Sequence, residues 1–208
     1  MLDILITIIL AAFLAELLGY ITHILLHSNK ISFLSRNHMI HHLVLYGPKK
    51  RMRSEDYFSP VTKRFNLFGI GLEWLLPAGF IFSVYGISLW FISPPLHLSV
   101  IFIAVNLVWV WVFYTYMHRA MHLQNFWMLK SKLFGKWFNG VRSLHDIHHV
   151  HLADDGRMNR NYGICFFAFD KIFRTFMRKP EPFNHSGYTA AEKRYEFIFK
   201  KLHTNNGK

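Results

Sequence analysis

Apolar and basic positions are segregated into blocks along this chain. Residues 2–26 (LDILITIILAAFLAELLGYITHILL), 67–92 and 96–117 are apolar stretches, and no Lys or Arg occurs in residues 1–29 or 65–118. All 24 Lys and Arg lie in 30–64 or 119–208. About 20 apolar residues cross the hydrocarbon core of a bilayer, so each stretch predicts a membrane-spanning helix. Pro77 predicts a kink in the second, and Ser93-Pro94-Pro95 a tight break before the third. Trp109, Trp111, Tyr114 and Tyr116 suit an interfacial end of the third span. The first stretch lacks the basic n-region and small-residue cleavage site of a signal peptide and reads as a retained anchor.

Basic loops stay on the cytoplasmic side. The run Lys49-Lys50-Arg51-Met52-Arg53 and the C-terminus are therefore expected there, opposite the N-terminus and the Ser93–Leu96 turn. Residues 163–177 (GICFFAFDKIFRTFM) interleave Asp170, Lys171 and Arg174 with apolar side chains. They predict an amphipathic helix on the core or in the interface. A fourth span is the alternative, at the expense of carrying three ionic groups into lipid. The predicted fold is an all-α, multi-pass integral membrane protein of three transmembrane helices, or four, with a cytoplasmic, helical, histidine-rich cap. One membrane domain covers 1–178, and 179–208 is a polar, peripheral C-terminal tail.

Ten of the 14 histidines fall into four clusters: His23/His27, His38/His41/His42, His118/His122 and His145/His148/His149. All four lie on the side expected to be cytoplasmic. Histidines at i, i+4 stack on one helix face, one turn apart. In the H-x-x-H-H clusters i and i+3 share a face and i+4 extends it. Neutral imidazole is the commonest protein ligand for iron, zinc and copper, and these clusters exceed what a structural zinc requires. Each half of the chain runs apolar span, H-x-x-x-H, basic segment, H-x-x-H-H, which predicts two analogous half-sites and two metals. Glu16, two turns before His23, is a carboxylate inside a span and a candidate to hydrogen-bond a ligating imidazole. Asp146 and Asn37 are further candidates for that role, and His151 is open between ligand and support.

Composition narrows the chemistry. One cysteine, Cys165, excludes a disulfide framework and thiolate-rich metal sites. The net charge of +12 accompanies 52% hydrophobic residues, and no nucleic-acid module is present. H-E-x-x-H is absent, which argues against a zincin peptidase. A transporter would place its ligands near the bilayer midplane, whereas these gather at one side. A non-catalytic metal protein is the alternative from another class.

The order H-x-x-x-H, H-x-x-H-H, H-x-x-x-H, H-x-x-H-H resembles the membrane-bound fatty acid hydroxylase/sterol desaturase superfamily. Tyr116-Met117-His118-Arg119-Ala120-Met121-His122 is similar to its Y-x-H-R-x-x-H box. Asn161-Tyr162-Gly163 with Asp170, Phe173 and Thr175 is similar to its N-Y-G…D-x-x-F-x-T tail. The front half, with Glu16 before His23, resembles the carotenoid hydroxylase branch. That branch has four residues between the paired histidines where this chain has three. The resemblance implies two iron ions held by the ten histidines, with Asn161 as a supporting residue. It implies use of O2 to hydroxylate, or alternatively desaturate, a C–H bond of a membrane lipid. No flavin, haem or nicotinamide motif is present, so electrons would come from an external ferredoxin or cytochrome b5-like donor.

Overall fold

The computed structural model describes residues 1–59, 66–67 and 70–199, and of residues 66–67 and 70–76 only the backbone. It is helical apart from a two-residue antiparallel pairing of β1 (Asn66–Leu67) with β2 (Ile70–Gly71). Two rods are long and apolar enough to cross a bilayer. The first is α1, Leu2–Leu26. The second, Leu96–Met121, runs from α4 (Leu96–Trp109) through a π-helical stretch (Val110–Met117) into α5 (His118–Met121). They run 25 and 26 residues, their most apolar 18-residue windows have mean hydropathies of 2.4 and 2.2, and at ~1.5 Å per residue each exceeds the ~30 Å hydrocarbon core. Their outward side chains, among them Leu5, Ile9, Phe13, Leu107 and Trp111, are exposed. An apolar helix surface without a polar face suits lipid rather than water.

The rods are packed together and joined to α3, Leu72–Ile92, which contains Pro77. Ala11, Tyr85 and Phe102 form a small core between the three helices. Inside it Tyr85 donates to Asn106 Oδ1 at 3.1 Å, and Asn106 Nδ2 donates to the Phe102 carbonyl at 2.9 Å. In an apolar medium each unmade hydrogen bond is expensive, so these polar side chains satisfy one another. Gly19 permits the close approach of α1 to the second rod: a Cβ there would lie 2.2 Å from the Tyr114 ring.

The cap is built from α2 (Ser32–Ile40) with its π-helical continuation His41–Leu45, α6 (Gly135–Val150), α7 (Ala168–Ile172) and α8 (His185–Arg194). On α6 the buried positions Phe138, Val141, Arg142, His145, His148 and His149 follow the 3.6-residue period, with Ile147 buried outside that stripe. That face therefore delivers histidines inward as a direct result of amphipathic patterning. Arg142 on the same face donates from Nε to the Met121 carbonyl at 3.1 Å and from its guanidinium to the Leu123 carbonyl at 2.5 Å. It satisfies the orphan carbonyls where the second rod ends.

Two expectations are corrected here. The helix expected over 163–177 shrinks to the five residues of α7, too short for a fourth span. Asn161 and Arg174 have φ of 53° and 60°, and a residue with left-handed φ interrupts a helix. The side chain of Asp170 holds the irregular backbone between them. The described part of the tail, up to residue 199, is also not peripheral: Tyr188, Ala191, Tyr195 and Ile198 are buried in one core with Met39, Leu43, Leu152 and Met158. Tyr195 donates its hydroxyl to the His27 carbonyl at 2.8 Å.

Candidate metal centre

The four clusters arrive from four directions. His23 lies in the last turn of α1, and His27 is its C-cap. His38 comes from α2, and His41 and His42 from the π-helical turn that follows. His118 opens α5 and His122 caps it. His145, His148 and His149 come from α6. Nine of these ten are buried and His118 is half-buried. They assemble into two groups of five: His23, His27, His38, His42 and His148, and His41, His118, His122, His145 and His149. Within each group one nitrogen per ring lies within 4.8 Å of every other.

The grouping corrects the half-site expectation. Each group takes four histidines from one half of the chain and one from the other, with His41 and His148 exchanged. In both H-x-x-H-H clusters the i, i+4 pair stays together and the i+3 residue crosses over. At 3.6 residues per turn, i+4 lies ~40° from i around the axis whereas i+3 lies ~60° away on the opposite side. That divergence would let one cluster serve two ions set side by side. The groups are joined where the His42 and His149 rings stack at 3.9 Å between centroids.

Hydrogen bonds on the outer nitrogens orient the rings. His23 Nδ1 donates to the Tyr162 carbonyl at 2.5 Å and His148 Nδ1 to the Arg160 carbonyl at 2.6 Å. His122 Nδ1 donates to the Met52 carbonyl at 3.1 Å and His149 Nδ1 to the Tyr46 carbonyl at 3.0 Å. A neutral imidazole protonated on Nδ1 presents a lone pair on Nε2. Burial pushes His148 and His149 well below their ordinary titration range and His122 to about 3, so these rings are neutral. His23 Nε2 and His148 Nε2 nevertheless face each other at 3.1 Å. With both Nδ1 atoms donating to carbonyls, neither Nε2 carries a proton to share, and the two lone pairs meet head-on.

A cation between them resolves that repulsion. Two nitrogens each ~2.1 Å from an ion, at right angles, lie ~3.0 Å apart. The Nε2 pairs His27–His38, His122–His145 and His145–His149 lie at 3.0, 3.1 and 3.1 Å. Both nitrogens of His41 and of His42, and Nε2 of His118, are buried without a hydrogen-bond partner. Buried polar atoms without partners are costly, and metal coordination would satisfy one nitrogen of each of these rings. The residues therefore fit two metal ions in an all-nitrogen environment.

Asn161 acts at one remove. Its Nδ2 donates to the Leu144 and Met177 carbonyls at 3.0 and 2.8 Å, and its Oδ1 accepts from Met177 N at 2.8 Å. It thereby fixes the backbone between the Arg160 and Tyr162 carbonyls, which hold His148 and His23. Asp170 completes this brace by accepting from Tyr162 N, Gly163 N and the Thr175 hydroxyl at 2.8, 2.8 and 2.7 Å. Gly163 has no room for a side chain, since a Cβ would lie 2.2 Å from the Phe166 carbonyl oxygen.

Glu16 is elsewhere. Its carboxylate accepts from Trp109 Nε1 at 2.9 Å and its carbonyl from the Tyr114 hydroxyl at 3.2 Å, binding α1 to the second rod. Seven residues correspond to ~10 Å of helix rise, which separates this carboxylate from His23. Asp146 pairs with Arg53, next to the Met52 carbonyl that receives His122, so it acts on the loop and not on a ring. Asn37 is buried on α2. His151 belongs to neither group; its Nδ1 lies 3.5 Å from Glu181. The carbonyls of Met52, Tyr46, Arg160 and Tyr162 escaped sequence reasoning because a backbone acceptor carries no residue signature. Only the N-Y-G…D…T string signalled one of them.

The fatty acid hydroxylase family matches residues 8–175. The chain belongs to this family. The match includes all ten histidines and ends at Thr175, the last residue of the brace around Asp170. No curated protein and no solved structure matches the chain. Fatty acid hydroxylases are typically iron-dependent and membrane-associated, which agrees with the histidine groups that could hold metal and with the two apolar rods.

Proposed function

We propose that this fatty acid hydroxylase family member is a membrane-embedded di-iron oxygenase that hydroxylates a C–H bond of a membrane lipid. The observation that carries the reading is the pair of five-imidazole groups joined by the stacked His42 and His149 rings. The ligand set is His23, His27, His38, His42 and His148 for one iron, and His41, His118, His122, His145 and His149 for the other. Iron supplies what zinc lacks: with two external electrons and two protons, one atom of O2 enters the C–H bond and the other leaves as water.

The chain's own residues do the positioning. The four carbonyls of Met52, Tyr46, Arg160 and Tyr162 fix the ring tautomers. The burial of nine histidines keeps bulk water from the reacting region. The proposed topology has α1, α3 and the second rod crossing the bilayer, with the cap on the cytoplasmic side. A lipid would reach the centre laterally from the bilayer. The electron donor is a soluble or membrane-bound carrier of the ferredoxin or cytochrome b5 type, drawn by the net charge of +12. The reading assigns no role to nucleic acid.

Comparative lipid profiling of cells with and without the protein, alongside His145→Ala, tests the reading. A gain of one oxygen in one lipid class, lost in the variant, is the expected result. Loss of two hydrogens instead would identify a desaturase. Purified protein that holds zinc or haem and forms no product with reductant and O2 would overturn the proposal.

A further inference from the structure

The segment that carries α7 lies against the two membrane rods. Phe169 packs on Phe13 of α1 at 5.4 Å between ring centroids. Phe166 stacks on Trp109 at 5.4 Å and packs on Phe113 at 5.1 Å. Phe13, Trp109 and Phe113 all lie within the rods long enough to cross a bilayer. The segment therefore sits beside the spans, at the lipid boundary. Its outward side chains agree: Phe166, Ile172 and Phe173 are 39%, 65% and 55% exposed. Such exposure is costly in water and ordinary in lipid.

Between this segment and α6 are two adjoining open cavities of about 570 and 680 Å3, which share Leu144, Lys171 and Phe176. Phe167 and Trp137 extend the apolar lining. The charged groups are all cationic: Lys171 in both cavities, and Lys136 and Arg178 in the second. No acidic side chain lines either one. Among the described residues none of the three cations has an ion-pair partner. The Lys171 ammonium lies over the Phe176 ring at 5.4 Å.

We propose that this cleft between α6 and the α7 segment binds an anionic phospholipid of the surrounding bilayer. An acyl chain matches the apolar lining, and a phosphodiester without a compensating cation matches Lys136, Lys171 and Arg178. A zwitterionic headgroup would bring its ammonium against three cations. A soluble acidic partner would leave the apolar wall uncovered. The proposal stands on the membrane residence of the rods and not on oxygen chemistry.

Trp137 provides the reporter. The metal-loaded protein and Trp137→Phe are each placed in phosphatidylcholine nanodiscs that contain equal fractions of brominated phosphatidylcholine or brominated phosphatidylglycerol. The difference between the two proteins isolates the emission of Trp137. Quenching of that emission is expected to be several-fold stronger with the brominated anionic lipid, and the preference should fade in high salt. Lys136→Gln/Lys171→Gln/Arg178→Gln should abolish the preference, and Lys136→Arg/Lys171→Arg should retain it. Unchanged metal content in both variants reports that they are folded. Equal quenching by both lipids would reduce the cleft to ordinary bilayer contact and overturn the proposal. Quenching by neither would put the cleft in water and overturn it as well. Metal content and product formation are read separately, so failure of the lipid site is distinct from failure of the oxygenase reading.

Discussion

At the scale of single residues, the centre depends on groups that never touch the metal. Asp170 accepts three hydrogen bonds and holds the turn that orients His23 and His148. Asp170→Ala leaves two buried backbone N–H groups without partners, so a loss of roughly 2–5 kcal/mol is expected, measured by thermal or denaturant unfolding. Asp170→Asn keeps the shape but turns one acceptor into a donor, and should fall between wild type and Ala. A second prediction concerns acid. Burial lowers His148 and His149 far below 6.5, and His122 to about 3. Between pH 6.5 and about 3 the unfolded chain therefore binds more protons than the folded one, and stability falls as pH falls. Above pH 6.5 this contribution is complete. Unfolding and metal release followed along an acid titration should begin just below pH 6.5; a profile flat to pH 4 contradicts the assignment. The ten histidines were legible in the sequence because four clusters at helical spacing have no structural explanation. A carboxylate on the helix face below a ligand looks like support, yet Glu16 accepts from Trp109. It takes three dimensions to see that Trp109 is its partner.

At the scale of elements, long apolar helices were legible and short irregular ones were not. The two long apolar rods follow from composition alone. The π-helical turns at His41–Leu45 and Val110–Met117 do not, because an added residue per turn leaves no mark in an apolar pattern. The exchange of His41 and His148 between groups has the same origin: spacing fixes which rings share a helix face but not which of the two adjacent groups each joins. The α7 segment escaped because its apolar count suits a helix, whereas Asn161 and Arg174 take left-handed φ and bend the backbone. The seating of α1 on the second rod is tested by Gly19→Leu. A Cβ at this position would lie 2.2 Å from the Tyr114 ring, and a larger side chain drives the rods apart. A loss of about 1–3 kcal/mol is expected from overpacking. Lower thermal stability, with loss of metal as His23 moves with α1, is the outcome to measure; Gly19→Ala should be milder.

At the scale of the whole molecule, one arrangement must satisfy the bilayer and the ten imidazoles together. The rods bring His23, His27, His118 and His122 to one end, and α2 and α6 close over them. Cysteines placed at the exposed positions Lys49 and Lys132 are expected to label from one side of the membrane, and a cysteine at Ser93 from the other. The native Cys165 is buried and adds little background. Labelling of Lys49 and Lys132 from opposite sides would contradict a shared centre. The most direct measurement is the metal content of the purified protein, read by elemental analysis together with X-ray absorption at the iron edge. Two irons per chain are expected, each in a nitrogen-rich shell with imidazole scattering, and His41→Ala/His148→Ala should deplete both sites because each group loses the ring supplied by the other half. One ion or none per chain, or a shell without multiple imidazoles, would contradict two histidine groups built jointly by both halves of the chain.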